Sequence, residues 1–424
     1  MLQPVKAGGN LVPLPRFLEG HDPNDIPTAV PILPCRCSVL PRCSRSVHSR
    51  GHSPAPVAHV YVQTPHGVNL YNTSSTGKLT LAPGSPFKTI GLMVGTNGKY
   101  FISNGTNVVH VYAASSTGAI GKEVSTINTA LYAGAECGTT GPTLLDHTGG
   151  SLYIQHDNAS SSGSYVCSAF QSFRIGSTGQ LTYVGTTKTF IDLHVGPPTP
   201  LTIIGRNNFA YDIADPNIGY DGSVIQGFKR NGTTGSLDEW NVLVSNPSTF
   251  DASWFWMQYG VTADPTNHVA VFEIQEQGLP YGPYAHPQLA SYTMDPSGNL
   301  TSTNTYKNMP VPLVYPQVMN MSPSGKLLAI ASATDYTSCN CGPTNSGTSG
   351  LQVFHFNGAN PITRYSATLT KTPIDSIRWD KANHLYALSF STGKLFVYTV
   401  TPTSITPAPG SPYLIRGATG LLVR

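Results

Sequence analysis

VMNMSPSGKLLAIAS (318–332) reads as an apolar strand, a four-residue turn and a second apolar strand. In the turn Ser322-Pro323-Ser324-Gly325, the proline ring pre-sets φ at the second position and the glycine accepts the positive φ that follows. Such a hairpin cannot bury both faces alone. It needs neighbours, and the chain supplies copies of it.

Aligned under it are GLMVGTNGKYFIS (91–103), PTLLDHTGGSLYIQ (142–155), PLTIIGRNNFAYDIA (200–214), YGVTADPTNHVAVFEI (259–274) and SIRWDKANHLYALS (376–389). A second hairpin follows each, as in VYAASSTGAI (111–120), FRIGSTGQL (173–181), FKRNGTTGSL (228–237) and YTMDPSGNL (292–300). VFHFNGANPI (353–362) and VYTVTPTSI (397–405) keep the pattern and lose the Thr-Gly. Four strands per unit, recurring about every 40–60 residues, mark a propeller blade. An ordinary β-sandwich gives no reason for one turn to recur at one place.

Six first hairpins are complete. The segment AHVYVQTPHGVNLYNTSSTGKLTLAPGSPF (58–87) has three strands and lacks the innermost, while ATGLLVR (418–424) is a strand without a blade. ITPAPGSPYL (405–414) nearly copies LTLAPGSPFK (79–88). Leu421, Leu422 and Val423 are therefore expected to complete the first blade, closing a seven-bladed β-propeller over 57–424 with no sheet edge open at the seam. Residues 1–56 are Pro-rich and aperiodic and read as disordered, or as translated sequence upstream of the true start. No continuous apolar signal-peptide core occurs there.

Charged residues make up only 11%, and the 42 Gly and 35 Pro suit a turn-rich β protein. A net charge of +3 without a Lys/Arg cluster in the repeats argues against nucleic acid. No apolar run is long enough to span a bilayer. Strands made soluble by Ser, Thr, Asn and Gly point to export: periplasmic, cell-surface or extracellular. A monomer without cofactor is expected. Of the seven cysteines, Cys137 and Cys167 fall on connections of one face, which allows a disulfide. Cys339 and Cys341 supply only half a zinc site and read as a local disulfide or free thiols.

Links between second and third strands are short in blades one, two and seven. They are long in blades three to six: 156–168, 214–223, 275–288 and 333–350. All four open on one face, as does TFDASWFWMQYG (249–260). Long loops on a rigid scaffold carry binding residues. Trp254, Trp256, Tyr259, Tyr281, Tyr284 and His286 are the candidates for a carbohydrate, peptide or protein ligand, and Phe255 reads rather as filling a joint between blades. His147, His156, His194, His268, His286, His355 and His384 are scattered, and solvated turns are the expectation for them. Asp146, Asp212, Asp215, Asp221, Asp264, Glu273 and Glu276 are available as carboxylates near the channel. Asp157, Asp215, Asp221 and Asp335 lack the spacing of a calcium loop, and no metal is expected. No nucleophile elbow, phosphate loop or zinc-protease motif occurs.

The recurrent inner hairpin of the SPSGKLLAIAS kind, then TG-x-L, then PGSPF, resembles the seven-bladed lactonase-like propellers, which include propeller-type 6-phosphogluconolactonases and muconate-lactonising relatives. The resemblance covers roughly 57–424 and implies the fold. Catalytic members carry a His-rich string before the third inner strand, a Gly-Pro-Arg-His string before the fourth, and a Glu after the second strand of that blade. Here those positions read Thr139-Thr140-Gly141-Pro142, Gly196-Pro197-Pro198-Thr199 and Asp215. Asp215, Arg206 and His194 are the weak catalytic candidates, with Arg378 the other nearby cation. The departures make a binding scaffold the leading expectation, with lactone hydrolysis at the central channel as the alternative.

Overall fold

The computed structural model describes residues 55–157, 166–191, 201–204, 208–214, 224–248, 254–277, 285–333 and 349–424. The expected N-terminal tail, up to residue 54, lies outside them. They form seven sheets, antiparallel but for one added strand. From the inside outward, blade two is Leu92–Thr96, Tyr100–Gly105, Val108–Ala114 and Ile120–Asn128. Blades three, four, six and seven repeat the order on inner strands Thr139–Leu145, Thr202–Ile203, Val318–Met321 and Ser376–Trp379. Blade five starts from Trp254–Ala263 and carries an addition the sequence did not announce: Val244–Ser245 pairs parallel with its outer strand Leu300–Thr301.

Blade one closes as expected. Gly420–Val423 lies antiparallel to Ala58–Thr64, with Val60 opposite Val423, Tyr61 opposite Leu422 and Val62 opposite Leu421. The last and first strands of the propeller thus share one sheet. Both Pro-Gly-Ser-Pro turns hold cis Ser–Pro bonds, at Ser85-Pro86 and Ser411-Pro412.

The core is divided. Seven apolar clusters each fill the joint between two adjacent blades, from Tyr61, Leu70 and Phe101 between blades one and two to Val60, Tyr386 and Val397 between seven and one. This explains why second strands are buried on both faces instead of alternating. In Leu327–Ser332 every residue is buried. Leu328 and Ile330 join the cluster with blade five, while Leu327, Ala329 and Ala331 join the one with blade seven. Burying each large apolar chain contributes roughly 1.5–3 kcal/mol.

The recurrent turn glycine has a packing reason as well. Gly118, between the third and outer strands of blade two, has φ +80°, and a Cβ there would come within 2.8 Å of the His59 ring in blade one. Tyr61 donates its hydroxyl proton to the Gly118 carbonyl at 2.9 Å. Tyr153 does the same to Gly235 at 2.8 Å and Tyr211 to Gly298 at 2.6 Å, each across to the next blade. The glycine of this second turn marks where one blade is pinned to its predecessor.

Candidate functional site

The inner strands surround a channel of about 670 Å³, open to solvent. Its walls include Leu144, Leu201, Val261, Met319 and Leu422, with Thr96, Thr202, Thr262, Asn320 and Ser376 between them. Two inner strands reach it through bulges. In blade five the register slips between Gln258 and Gly260, so Tyr259 is the unpaired extra residue and lines the channel. In blade two the slip between Met93 and Gly95 puts Val94 there. An extra residue bends the strand and re-aims a side chain. Periodicity alone does not reveal such a slip.

Arg378, on the inner strand of blade seven, is the one Lys or Arg among the described residues that line the channel. Its Nη1 donates to the Ile377 carbonyl at 2.8 Å, and no described carboxylate pairs with it. Part of its surface faces the channel, yet protein encloses the guanidinium, and this burial holds its pKa below the ordinary arginine value. Asp375 lines the same channel and accepts the Phe390 N–H at 2.7 Å. His147 also lines it and is exposed.

One other acid bridges two blades, and three more are spent inside their own. Asp146 is buried and meets Arg230 of blade four at 2.9 Å, while Arg230 also donates to Tyr153 and Ser151. Asp264 pairs with His268 at 3.1 Å and accepts the Thr266 hydroxyl. Asp380 pairs with His384 at 2.7 Å and accepts the Tyr386 hydroxyl at 2.8 Å. Glu273 is wholly buried in blade five and accepts the Tyr292 hydroxyl; burial pushes its pKa up to about 8. Burial likewise drives the Tyr292 hydroxyl well above its ordinary value.

Solvated turns were the expectation for the histidines, and two depart from it. His384 is buried against Asp380, and His156 is buried with Nδ1 at 3.3 Å from the Gly138 carbonyl. His268 is half-buried on Asp264, His355 stacks on Tyr365, and His147 is solvated as expected. A turn histidine four residues after an aspartate folds back onto it, and that spacing is visible in Asp264-Pro-Thr-Asn-His268 and Asp380-Lys-Ala-Asn-His384.

Of the ligand candidates, Trp256 is buried in the joint between blades four and five, its indole N–H donated to the Pro247 carbonyl at 2.9 Å. Tyr259 is 37% exposed and 6.2 Å from the Phe272 ring. The side chains of Trp254 and His286, and all of Tyr281 and Tyr284, lie outside the described residues. So do Arg206, Asp215, His194, Cys339 and Cys341. Cys137 is buried and disulfide-bonded, and the side chain of its expected partner Cys167 lies outside the described set. Among the described residues no group of three His, Cys, Asp or Glu is placed to hold a metal ion. No helix among them is long and apolar enough to cross a membrane.

A second depression, about 650 Å³, opens between blades one, two and three and was not foreseen. Gln63 shapes it, donating to the Gly91 carbonyl at 2.7 Å and accepting the Met93 N–H at 2.8 Å. On its wall Asn104 donates to the Thr143 hydroxyl at 2.7 Å.

No protein-family model and no curated protein matches the chain. Solved structures do. A propeller from Bacteroides uniformis ATCC 8492, described as a candidate 6-phosphogluconolactonase, superposes with a TM-score of 0.55 at 12% identity, over 87% of this chain and 99% of that one. A second so described, from Bacteroides fragilis NCTC 9343, gives 0.53 at 12% identity, over 87% and 97%. The likeness is one of fold, and it is the fold expected from the lactonase-like resemblance.

Proposed function

We propose that this seven-bladed propeller is a ligand-binding scaffold and not a lactone hydrolase, with the ligand entering from the face that carries the connections 156–168, 214–223, 275–288 and 333–350. One observation carries the reading. The paired acids and imidazoles of the described residues are spent on holding turns and blades: Asp146 on Arg230, Asp264 on His268, Asp380 on His384. Opening a lactone needs a general base beside the attacking water and donors for the developing oxyanion. Along the channel wall the remaining titratable groups are Asp375, His147, Tyr259 and Arg378, and no hydrogen bond joins Asp375 to His147. We also take the protein to be exported. The disulfide at Cys137 supports this, since such bonds persist in oxidising compartments.

Lactone hydrolysis is the second reading. It is favoured by the unpaired Arg378 in the channel and by the fold shared with two candidate 6-phosphogluconolactonases. A pH-stat assay with gluconolactone and 6-phosphogluconolactone separates the two. The binding reading expects the uncatalysed rate. A rate roughly a thousandfold or more above it, lost in Asp215→Ala, overturns it, since general acid–base groups alone supply on the order of 10²–10⁴.

A further inference from the structure

The geometry points to a carboxylate-binding site in the central channel, built on Arg378 and flanked by Ser376 and Asn320, for a small organic monoacid with an apolar body. This rests on the binding reading and gives the ligand its chemistry.

The cation comes first. Arg378 spends one N–H on the carbonyl of its own neighbour Ile377, and the rest of its fork has no protein acceptor among the described residues. Planar N–H pairs of this kind match a carboxylate in two-pronged fashion. An enclosed guanidinium without a counter-charge is costly to keep, and a bound anion offsets that cost. Arg230, by contrast, has its own acid in Asp146.

The neighbours fit. Ser376 lies two positions before Arg378 on the same strand, and its hydroxyl has no described protein partner. Asn320 sits on the adjacent inner strand, where its carbonyl accepts the Trp379 indole N–H at 3.1 Å. Its side-chain amide has no described protein partner, and all three residues line the channel. A hydroxyl and an amide beside a guanidinium supply the extra donors that a carboxylate accepts.

The walls set the rest of the ligand. Leu144, Leu201, Val261, Met319 and Leu422 present apolar surface in a space of about 670 Å³, within the range of small-molecule sites. Asp375 lines the same space, and its carboxylate opposes a doubly charged group such as phosphate. One negative charge on an apolar frame suits this balance.

The test is calorimetric titration of the full chain with benzoate, hexanoate and inorganic phosphate, on wild type, Arg378→Gln and Arg378→Lys. Wild type is expected to bind benzoate or hexanoate at one site per chain. Arg378→Gln should weaken it about tenfold to a hundredfold, the worth of a hydrogen bond to a charged group, with Arg378→Lys between. Should Arg378→Gln not fold, wild type alone decides: benzoate should protect Arg378 from phenylglyoxal, located by peptide mass. The proposal is overturned if neither carboxylate binds, if phosphate binds in their place, if a folded Arg378→Gln binds equally well, or if Arg378 is modified regardless of benzoate. Lactone turnover in the pH-stat overturns the binding reading instead, so the two failures are distinct.

Discussion

The carboxylate of Asp146 meets the guanidinium of Arg230 at 2.9 Å across the joint between blades three and four, with both side chains sealed from solvent. Asp146 Oδ1 also accepts the N–H groups of Gly150 and Ser151, so one residue shapes its own turn and anchors the next blade. Removing one member of a buried pair strands the other charge. Arg230→Met should cost about 3–5 kcal/mol in urea unfolding. Adding Asp146→Asn, which keeps the turn acceptor, should recover most of that loss.

Glu273 makes stability depend on pH in a stated direction. Its folded pKa, about 8, lies above the ordinary value of 4.5, because burial disfavours the carboxylate. The folded state therefore holds the proton more tightly than the unfolded chain. Its contribution is complete below about pH 4.5 and is lost as pH rises towards 8. The slope is at most about 1.4 kcal/mol per pH unit. Glu273→Gln should flatten this part of the profile and raise the melting temperature at pH 8, which calorimetry across pH checks.

The closing strand sets a third expectation. Leu421 is buried opposite Val62, and Leu421→Ala should cost about 2–5 kcal/mol. Deleting residues 420–424 should be worse in kind. It bares the inner edge of Ala58–Thr64, and light scattering should show association at concentrations where the full chain stays dispersed.

The pinned turn glycines give a paired test. Gly118→Ala places a Cβ at positive φ within 2.8 Å of His59, and should cost more than about 1 kcal/mol in chemical denaturation. At Gly232 nothing lies within 4 Å of the added carbon, and Gly232→Ala should change stability little.

The ring was legible because its signals are local. Turns such as Ser322-Pro323-Ser324-Gly325 repeat within each blade, and the lone strand near Leu421 has one vacancy to fill. The partners of Asp146 and Glu273 were not legible. Arg230 is 84 positions from Asp146, and no short-range pattern distinguishes a buried acid from a solvated one. The channel was read only in part. The sequence shows Arg378 as a cation near an inner hairpin, but its lack of an acid is a fact about space. Tyr259 is visible in the sequence as an aromatic, while the bulge that aims it depends on a slip against Glu273 and Phe272.

Joining residues near 60 to residues near 420 also orders events during biosynthesis. Leaving the ribosome, Ala58–Thr64 has its hairpin partner at once but waits for its inner neighbour until six further blades have been made. For that interval the nascent ring stands ajar, with a docking edge displayed to any other extended chain in reach. Chaperones that shield strand edges would have their largest effect on this protein then, before its final residues have been translated.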